Sequence, residues 1–450
     1  MKRTKKLLPL MIKRIAAVLS ALLMLPVLAA CKDAGGVTGT FDWDENVLVY
    51  ASLNGAAACR EAVDKFNSAH TDVQIEVRDY SGEGGLARLT TEILAGKIPD
   101  IIELVGMPYG QLAQKGYLED LWPYIEGDPE LGRGAVMEGP LRAAEINGGL
   151  YMAFPSVLIN TLIGPERLVG DRYSWTVKDL QEAFAAMPED STITDYYADK
   201  RMMFDMMCTM TMDSYVDWEA GTCSFDSGSF RETLAFVNSF PDKVDWTPDS
   251  DGLAELRERR LSGRQMLWMN GFSALSDIPV LDDLFGGKTS FVGYPVGDGA
   301  VGSSFQSFHG VAISSVCRNK EAAWAYVRNS FLPRYTRSML QKRLEGGAFY
   351  GFPINRADYE LLMDLSVSSD VSLKGYNSFG EEMDLYPLSR EDLARFKEFY
   401  SRIERFDMGD RKMQAFIYES CEPYFAGDKT LDETVELIQN RVRLYINEQR

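Results

Sequence analysis

The segment from residue 47 to residue 105 carries the pattern that most restricts what this chain can fold into. Short apolar runs bounded by turn residues alternate with stretches in which apolar side chains recur at helical spacing. This order predicts a β-α-β-α-β unit and therefore a parallel sheet with right-handed crossovers. The predicted elements are strands at Val47–Ala51, Val73–Tyr80 and Ile101–Val105 and helices at Ala57–Ala69 and Leu86–Ala95.

The loops after these three strands are the expected lip of a ligand cleft. In open α/β sheets, ligands bind outside the carboxyl ends of the strands. The loops concerned are Ser52–Gly55, Ser81–Gly85 and Gly106–Tyr109.

A second region follows the first unit, and apolar patterns continue to the end of the chain. Tyr151–Pro155 is predicted as a strand that leaves the first unit, and the tail from Glu391 to Arg450 is predicted to be mostly helical. The elements predicted between them are helices at Val177–Met187, Ser229–Asn238 and Lys320–Phe331 and strands at Gln265–Met269 and Val311–Ser314.

The N-terminus has the pattern of an export signal with a lipid-attachment cysteine. A basic segment precedes the apolar run Ile15–Leu28, whose 14 residues fall short of the roughly 20 that a membrane-spanning helix needs. The run ends in Leu28-Ala29-Ala30-Cys31, which is similar to the bacterial lipobox. Residues 1–30 are therefore predicted to be a signal peptide and Cys31 to carry acyl chains, which bind a membrane firmly when two or more are present. Residues 31–46 are predicted to be a short glycine-containing tether.

Length and charge set limits on the mature protein. Removal of residues 1–30 leaves 420 residues, which predicts two domains. The chain has 47 basic and 66 acidic residues, and the signal segment contains six basic and no acidic ones, so the remainder has a net charge of −25. Such a surface disfavours nucleic acid as a partner.

The numbers and spacing of histidine, cysteine and glycine residues also limit the possible functions. Two histidines in the whole chain disfavour histidine-based metal sites and a Ser–His–Asp triad, and no cofactor is expected. Five cysteines follow Cys31 without CxxC spacing, and they are interpreted as buried, although Cys208 and Cys223 could pair. The sequence Gly297-Asp298-Gly299-Ala300-Val301-Gly302 satisfies GxGxxG, but no helical pattern follows it, which indicates a loop rather than a dinucleotide site.

A series of short motifs resembles the family 1 extracellular solute-binding proteins. The motifs occur in the family's order and spacing over about residues 45–450. They are Leu94–Ile102, Leu112–Leu121, Gly149–Pro155, Ser174–Leu180, Phe291–Pro295, Ala322–Val327, Gly351–Asn355 and Val435–Val442.

This resemblance implies a fold, partners and a location. The implied fold is α/β, the two-lobed periplasmic-binding-protein fold of type II, with hinge crossovers, a helical C-terminal tail and closure around a ligand. The implied lobes are residues 46–154 with 306–350, and residues 155–305 with 351–450. The resemblance further implies a monomer on the extracellular face of the cell membrane that passes a solute, expected to be an oligosaccharide, to the permease subunits of an ABC importer.

A sugar site needs flat rings for stacking and polar groups for the hydroxyls. Candidates come from the strand-end loops of the first lobe, from the second lobe, and from the expected crossovers; for each ring, packing in a core is the alternative. The candidate ligand-binding residues are Asn54, Ser81, Tyr109, Trp218, Trp268, Asn270, Phe272, Phe305, Gln306 and Tyr350.

Two other functions fit the same sequence. Abundant carboxylates leave a lipid-anchored glycoside hydrolase open, since such enzymes need a pair of acids. A ligand-sensing receptor would share the fold with a transport protein.

Overall fold

The computed structural model describes residues 46–449 except 195–197, 219, 245–254, 256, 257, 298, 378, 379 and 408. The described residues from Leu48 onward form one compact unit. The predicted signal peptide, Cys31 and the tether up to residue 45 lie outside the described residues. Within the described part of the chain, no helix has the length and apolar character needed to cross a membrane.

The chain forms strands, helices and short 3-10 helices, and the strands and helices are numbered separately in chain order. The strands are β1 Val47–Ser52, β2 Gln74–Asp79, β3 Ile101–Glu103, β4 Ser156–Pro165, β5 Val216–Asp217, β6 Thr222–Cys223, β7 Trp268–Phe272, β8 Thr289–Phe291, β9 Ser304–Gln306, β10 Val311–Ile313, β11 Phe352–Pro353, β12 Leu373–Tyr376 and β13 Glu382–Tyr386. The helices are α1 Ala56–Ala69, α2 Gly85–Leu94, α3 Tyr109–Gln114, α4 Trp122–Gly127, α5 Glu138–Ala143, α6 Glu166–Val169, α7 Val177–Ala185, α8 Lys200–Met207, α9 Gly228–Asn238, α10 Asp277–Leu284, α11 Lys320–Val327, α12 Arg337–Glu345, α13 Arg356–Ser366, α14 Arg390–Ser401, α15 Arg411–Phe425 and α16 Leu431–Gln449. Short 3-10 helices cover Arg133–Ala135, Thr209–Tyr215 and Arg328–Ser330.

The predicted β-α-β-α-β unit is present and forms the first sheet. Its strand order is β10-β3-β1-β2, and β1 runs parallel to β3 with Tyr50 opposite Ile101. The fourth strand, β10, comes from much later in the chain and lies antiparallel to β3. The first sheet therefore combines segments that are distant in the sequence.

The second sheet is organised around β4. Four strands pair with it, all antiparallel: β11 at its start, β9 and β7 in its middle and β8 at its end. Two strand predictions are wrong in position. The strand predicted at Tyr151–Pro155 begins at Ser156, and the one predicted at Gln265–Met269 is β7, because its pairing with β4 starts where Trp268 meets Ile163.

Crossing segments connect the two lobes side by side. Ala153 and Val311 exchange two backbone hydrogen bonds of 2.8 and 2.9 Å, and a few residues further on Leu158 pairs with Gln306 in the second sheet. A third crossing runs through Phe352, which pairs with Val157. The predicted lobe boundaries stay predictions, and β9 spans the one placed between residues 305 and 306.

Two hydrophobic clusters form the core. The first fills the first lobe and continues into an aromatic layer beside β4, where the rings of Phe272, Phe291, Phe352, Phe396 and Phe399 are completely buried. The second packs α8, α9, α15 and α16 together. The fold is the two-lobed α/β periplasmic-binding-protein fold that the sequence predicts.

Candidate functional site

A cavity lies where the two hydrophobic clusters approach each other. The enclosed space is small, about 30 Å³, and the space that opens to solvent around it brings the total to about 450 Å³. One wall comes from the start of α3 in the first lobe, and the other from the second lobe. The lining residues are Tyr109, Gly110, Thr209, Met212, Asp213, Trp218, Asp407, Gly409, Asp410, Met413 and Gln414.

Trp218 closes one side of this cavity. It follows β5, which forms a short hairpin with β6. Its ring lies on the backbone of Gly110, so close that a Cβ built on that glycine would be 3.4 Å from a ring carbon. Its carbonyl accepts a 2.7 Å hydrogen bond from the Gln114 Nε2 of the first lobe. Trp218 therefore belongs to the contact between the lobes as well as to the cavity.

Tyr109 presents an aromatic ring from the first lobe. Its hydroxyl donates to the Ala144 carbonyl at 2.9 Å and accepts from the Tyr151 backbone N–H at 3.2 Å. Burial raises the pKa of this phenol above its usual range. With both partners in place the hydroxyl is fully engaged within the protein, and the whole residue is only 2% exposed, so Tyr109 forms a buried part of the cavity wall.

Asp407 is held in the cavity wall from three directions. Its backbone N–H donates to the Phe305 carbonyl at 2.7 Å, and its carboxylate accepts from the Gly409 N–H at 3.0 Å and from the Asn160 amide at 3.3 Å. Burial and the neighbouring Asp213 carboxylate raise the pKa of Asp407, while the Gly409 N–H and Arg405 act in the opposite direction. The charged form is therefore disfavoured in the ligand-free cavity.

Asp410 begins α15. Its carboxylate caps the helix by accepting from the Met413 N–H at 2.9 Å, and it also accepts from the Tyr445 hydroxyl at 3.0 Å. Burial raises its pKa in spite of these bonds.

The third carboxylate of the cavity, Asp213, is neutralised. It forms an ion pair with Arg405, whose guanidinium also donates to the carbonyls of Gly302 and Met210 at 3.0 and 3.1 Å. Arg405 thus ties the 3-10 helix that carries Asp213 to the strand region before β9.

Of the predicted ligand-binding residues, Tyr109 and Trp218 line the cavity. Phe272 and Phe305 are completely buried, and their rings pack against other aromatic rings. Trp268 is partly buried on the same cluster as Phe272, because residues four apart in a strand share a face. Phe272 and Phe305 are therefore packed in the core, which is the alternative to ligand binding, while Trp268 keeps part of its surface exposed and stays a predicted contact.

The other predicted residues lie elsewhere in the fold. Asn54 is exposed after β1, and its amide reaches the Phe308 carbonyl of a crossing segment at 3.4 Å. Ser81 is exposed and bonded to Asp79. Asn270 and Gln306 are strand residues in β7 and β9, and Tyr350 is 68% exposed before β11. None of these five is among the described lining residues of the cavity.

The carboxylates of Asp213, Asp407 and Asp410 were not among the sequence candidates. In a chain with 66 acidic residues, three aspartates carry no distinguishing pattern. The one available indication was the order Asp407, Gly409, Asp410 directly before a helical stretch, which is typical of a turn followed by an N-cap.

Two α/β lobes with crossing segments and a cavity between them define the class of two-lobed periplasmic binding proteins. The chain belongs to the bacterial extracellular solute-binding proteins, whose family model matches residues 61–353. Membership implies an extracellular or periplasmic location and a solute-binding role of the kind that an importer uses.

Solved structures include proteins that are similar to this chain. The sugar-binding protein MalE from Xanthomonas citri is 16% identical, the match covers 90% of this chain and 98% of that one, and the TM-score is 0.55. An ABC substrate-binding protein from Listeria monocytogenes, solved with cycloalternan, is also 16% identical over 90% of this chain and 100% of that one, with a TM-score of 0.48. No curated protein gives a significant match.

The contact between Gly110 and Trp218 gives a first testable prediction. Gly110→Leu should widen the gap between the lobes by roughly 4 Å, the separation of two touching apolar atoms, because the new side chain occupies the space of the Trp218 ring. Small-angle X-ray scattering of the ligand-free protein should show a larger radius of gyration. Gly110→Ala is the matched control, since its Cβ fits at 3.4 Å; identical scattering from the leucine variant would contradict the prediction.

The burial of Asp407 gives a second prediction, about pH. The folded-state pKa of Asp407 is raised, so the wild type gains stability as Asp407 is protonated on acidification and loses it as the pH rises through the folded-state pKa. Asp407→Asn lacks this dependence. Its free energy of unfolding relative to the wild type should therefore fall as the pH is lowered from about 8 to about 4.

Urea denaturation across this pH range measures the difference. Asp72→Asn, at an exposed position, is the control for the removal of one carboxylate from the protein. A constant difference for Asp407→Asn would show that the Asp407 carboxylate is not disfavoured by its surroundings.

Proposed function

We propose that this protein is an exported, lipid-anchored solute-binding protein that captures a carbohydrate in the cavity between its lobes and delivers it to the permease of an ABC importer. Cys31 would carry the lipid anchor, because the lipobox-like Leu28-Ala29-Ala30-Cys31 follows an export signal. The sugar-binding MalE of Xanthomonas citri, with the same fold, supports the ligand class.

The composition of the cavity carries this proposal. Two aromatic rings, Trp218 and Tyr109, provide flat apolar surfaces, while the oxygens of Asp407, Asp410 and Gln414 provide hydrogen-bond acceptors. Rings that stack on the C–H faces of a pyranose and polar groups that bind its hydroxyls are what a sugar site needs. The aromatic residues come from different lobes, so a ligand that touches both favours the closed arrangement.

Asn54, Ser81, Asn270, Gln306 and Tyr350 stay proposed contacts for a ligand larger than the cavity. Asn54 and Ser81 end or follow strands of the first lobe, and Gln306 lies at a crossing. An oligosaccharide that extends from the cavity along the cleft would reach such positions.

The test is a thermal-shift screen of residues 32–450 against mono- and oligosaccharides, followed by calorimetry of the ligand found. A ligand that binds only the folded protein at 100 times its dissociation constant adds about 2.7 kcal/mol of stability. Trp218→Ala should weaken binding of that ligand by about 10- to 100-fold, because a buried aromatic contact is lost. Tyr376→Ala, at a 76% exposed ring, should leave the affinity unchanged.

Each result separates the candidate functions. Stoichiometric binding without release of reducing sugar supports the solute-binding role, whereas turnover of an oligosaccharide would support a glycoside hydrolase. Equal affinity of Trp218→Ala and the wild type would place the site outside this cavity. A receptor would bind the same ligand but would co-purify with a sensor instead of permease subunits.

A further inference from the structure

The charges of the cavity wall do not balance. Asp213, Asp407 and Asp410 line the cavity, and its described lining residues include no lysine, arginine or histidine. Arg405 pairs with Asp213, and Asp407 and Asp410 have no ion-pair partner among the described residues. Lys412, close to Asp410 in the chain, lies over the Tyr445 ring at 5.3 Å.

We propose that the solute bound in this cavity carries a protonated amine, which the carboxylates of Asp407 and Asp410 and the ring of Trp218 recognise together. This inference rests on the proposed function, because it specifies the class of solute that the same cavity binds. An ammonium group has three donors and no acceptor, and carboxylates only accept, so the two groups are complementary in charge and in hydrogen bonding. A cation over an indole ring adds further attraction.

A metal ion is a poorer match for these carboxylates. Among the described residues, no group of three or more histidine, cysteine or acidic side chains is arranged to hold a metal. Asp407 and Asp410 instead belong to different local structures, one bonded to Asn160 and the other capping α15. Carboxylates spread along a wall suit an organic cation with several contact points.

An unsatisfied polar group lies near Asp407, behind the cavity wall. Ser304 is completely buried, and its hydroxyl has no hydrogen-bond partner within the described structure. It lies opposite Asn160 in the β4–β9 pair, so both side chains are on the same face of the sheet, and the Asn160 amide on that face reaches Asp407. Ser304 is not among the described lining residues of the cavity, so a bound solute would touch Asp407 and leave this hydroxyl behind the wall.

Burial of the aspartates is consistent with this recognition. Desolvation raises the pKa of both Asp407 and Asp410, which means that their charged forms are penalised when the cavity is empty. A bound cation offsets that penalty through its charge as well as through hydrogen bonds, whereas a neutral sugar offers the hydrogen bonds of its hydroxyls alone.

A matched series of β-1,4-linked oligosaccharides that differ only at carbon 2 tests the proposal. Chitosan trimer carries an amine, chitin trimer an acetamide and cellotriose a hydroxyl at that position, and spermidine provides an amine without a sugar. Calorimetry at pH 6 with residues 32–450 should give a dissociation constant for the chitosan trimer at least about tenfold lower than for cellotriose. Asp407→Asn should reduce this preference by about fivefold or more, and Asp72→Asn should preserve it.

The outcomes distinguish this inference from the proposed function. Cellotriose or chitin trimer bound as tightly as chitosan trimer would overturn the amine and leave the carbohydrate-binding role intact. Spermidine bound in place of all three sugars would support the amine and contradict the carbohydrate class. Failure of both amine probes to bind overturns the inference, and so does a preference for the amine that Asp407→Asn does not change.

Discussion

Gly302→Ala should lower the free energy of unfolding by on the order of 4 kcal/mol, which is the exceptional end of the range for single substitutions. The added Cβ would lie 1.7 Å from the Tyr294 carbonyl oxygen and 2.9 Å from its nitrogen. Both are backbone atoms, so no side-chain rotation can relieve the overlap. The chain segments on either side of the intervening loop would have to separate, and the Gly302 carbonyl would move away from Arg405.

Urea denaturation followed by circular dichroism measures this effect, and loss of soluble protein would be its extreme form. Gly228→Ala is the matched control, because a Cβ added at this glycine, at the start of α9, would meet nothing within 4 Å. That variant should be stabilised by about 0.4–1 kcal/mol through the lower entropy of the unfolded chain. A Gly302→Ala protein as stable as the wild type would disprove the close backbone contact.

Arg405→Met should cost about 3–5 kcal/mol, the usual result of removing one partner of a largely buried ion pair. The Arg405 and Asp213 side chains are 14% and 31% exposed. The substitution leaves Asp213 as an uncompensated charge and removes the donors to the Gly302 and Met210 carbonyls. Arg405→Lys should recover only part of the loss, because an ammonium cannot reproduce the planar fork.

Chemical denaturation of single and double variants tests this account. Adding Asp213→Asn to Arg405→Met should restore part of the stability, since it removes the unpaired charge. Arg402→Met breaks an exposed pair with Glu398, both side chains being about half exposed, and should cost less than about 1 kcal/mol. Equal losses for the Arg405 and Arg402 variants would contradict the structural role assigned to Arg405.

The elements of the first lobe could be predicted from the sequence to within a few residues. Strand and helix periodicity is a local property, and the residues of α1 and α2 that are buried show the spacing that the sequence displays. The described residues of the GxGxxG segment, 297 and 299–302, form a loop ahead of β9, as the sequence indicated. Its last glycine, Gly302, is nevertheless buried. A glycine is needed there because a Cβ would overlap the backbone of Tyr294, which belongs to another segment.

Strand register explains the aromatic residues that do not reach the cavity. A strand at Gln265–Met269 would end just after Trp268 and leave Asn270 and Phe272 in the loop beyond it, but β7 spans Trp268–Phe272 and pairs with β4 along its whole length. Because alternate residues of a strand face opposite sides, this pairing puts Trp268 and Phe272 on the core face and Met269 against the second cluster. Sequence alone does not specify that register.

The sequence by itself determined the class of elements, their order and the resemblance to a solute-binding family, since these follow from local periodicity and short motifs. Only the tertiary structure decided which side chains meet in the cavity. Asp213 and Arg405 are 192 residues apart in the chain, and Asn160 and Asp407 are 247 apart. Such pairs are brought together by the crossing of segments between the lobes and by the packing of α15 on the second cluster. The residues that neighbour an aspartate in the chain therefore give no indication of a contact with a partner so far away in sequence.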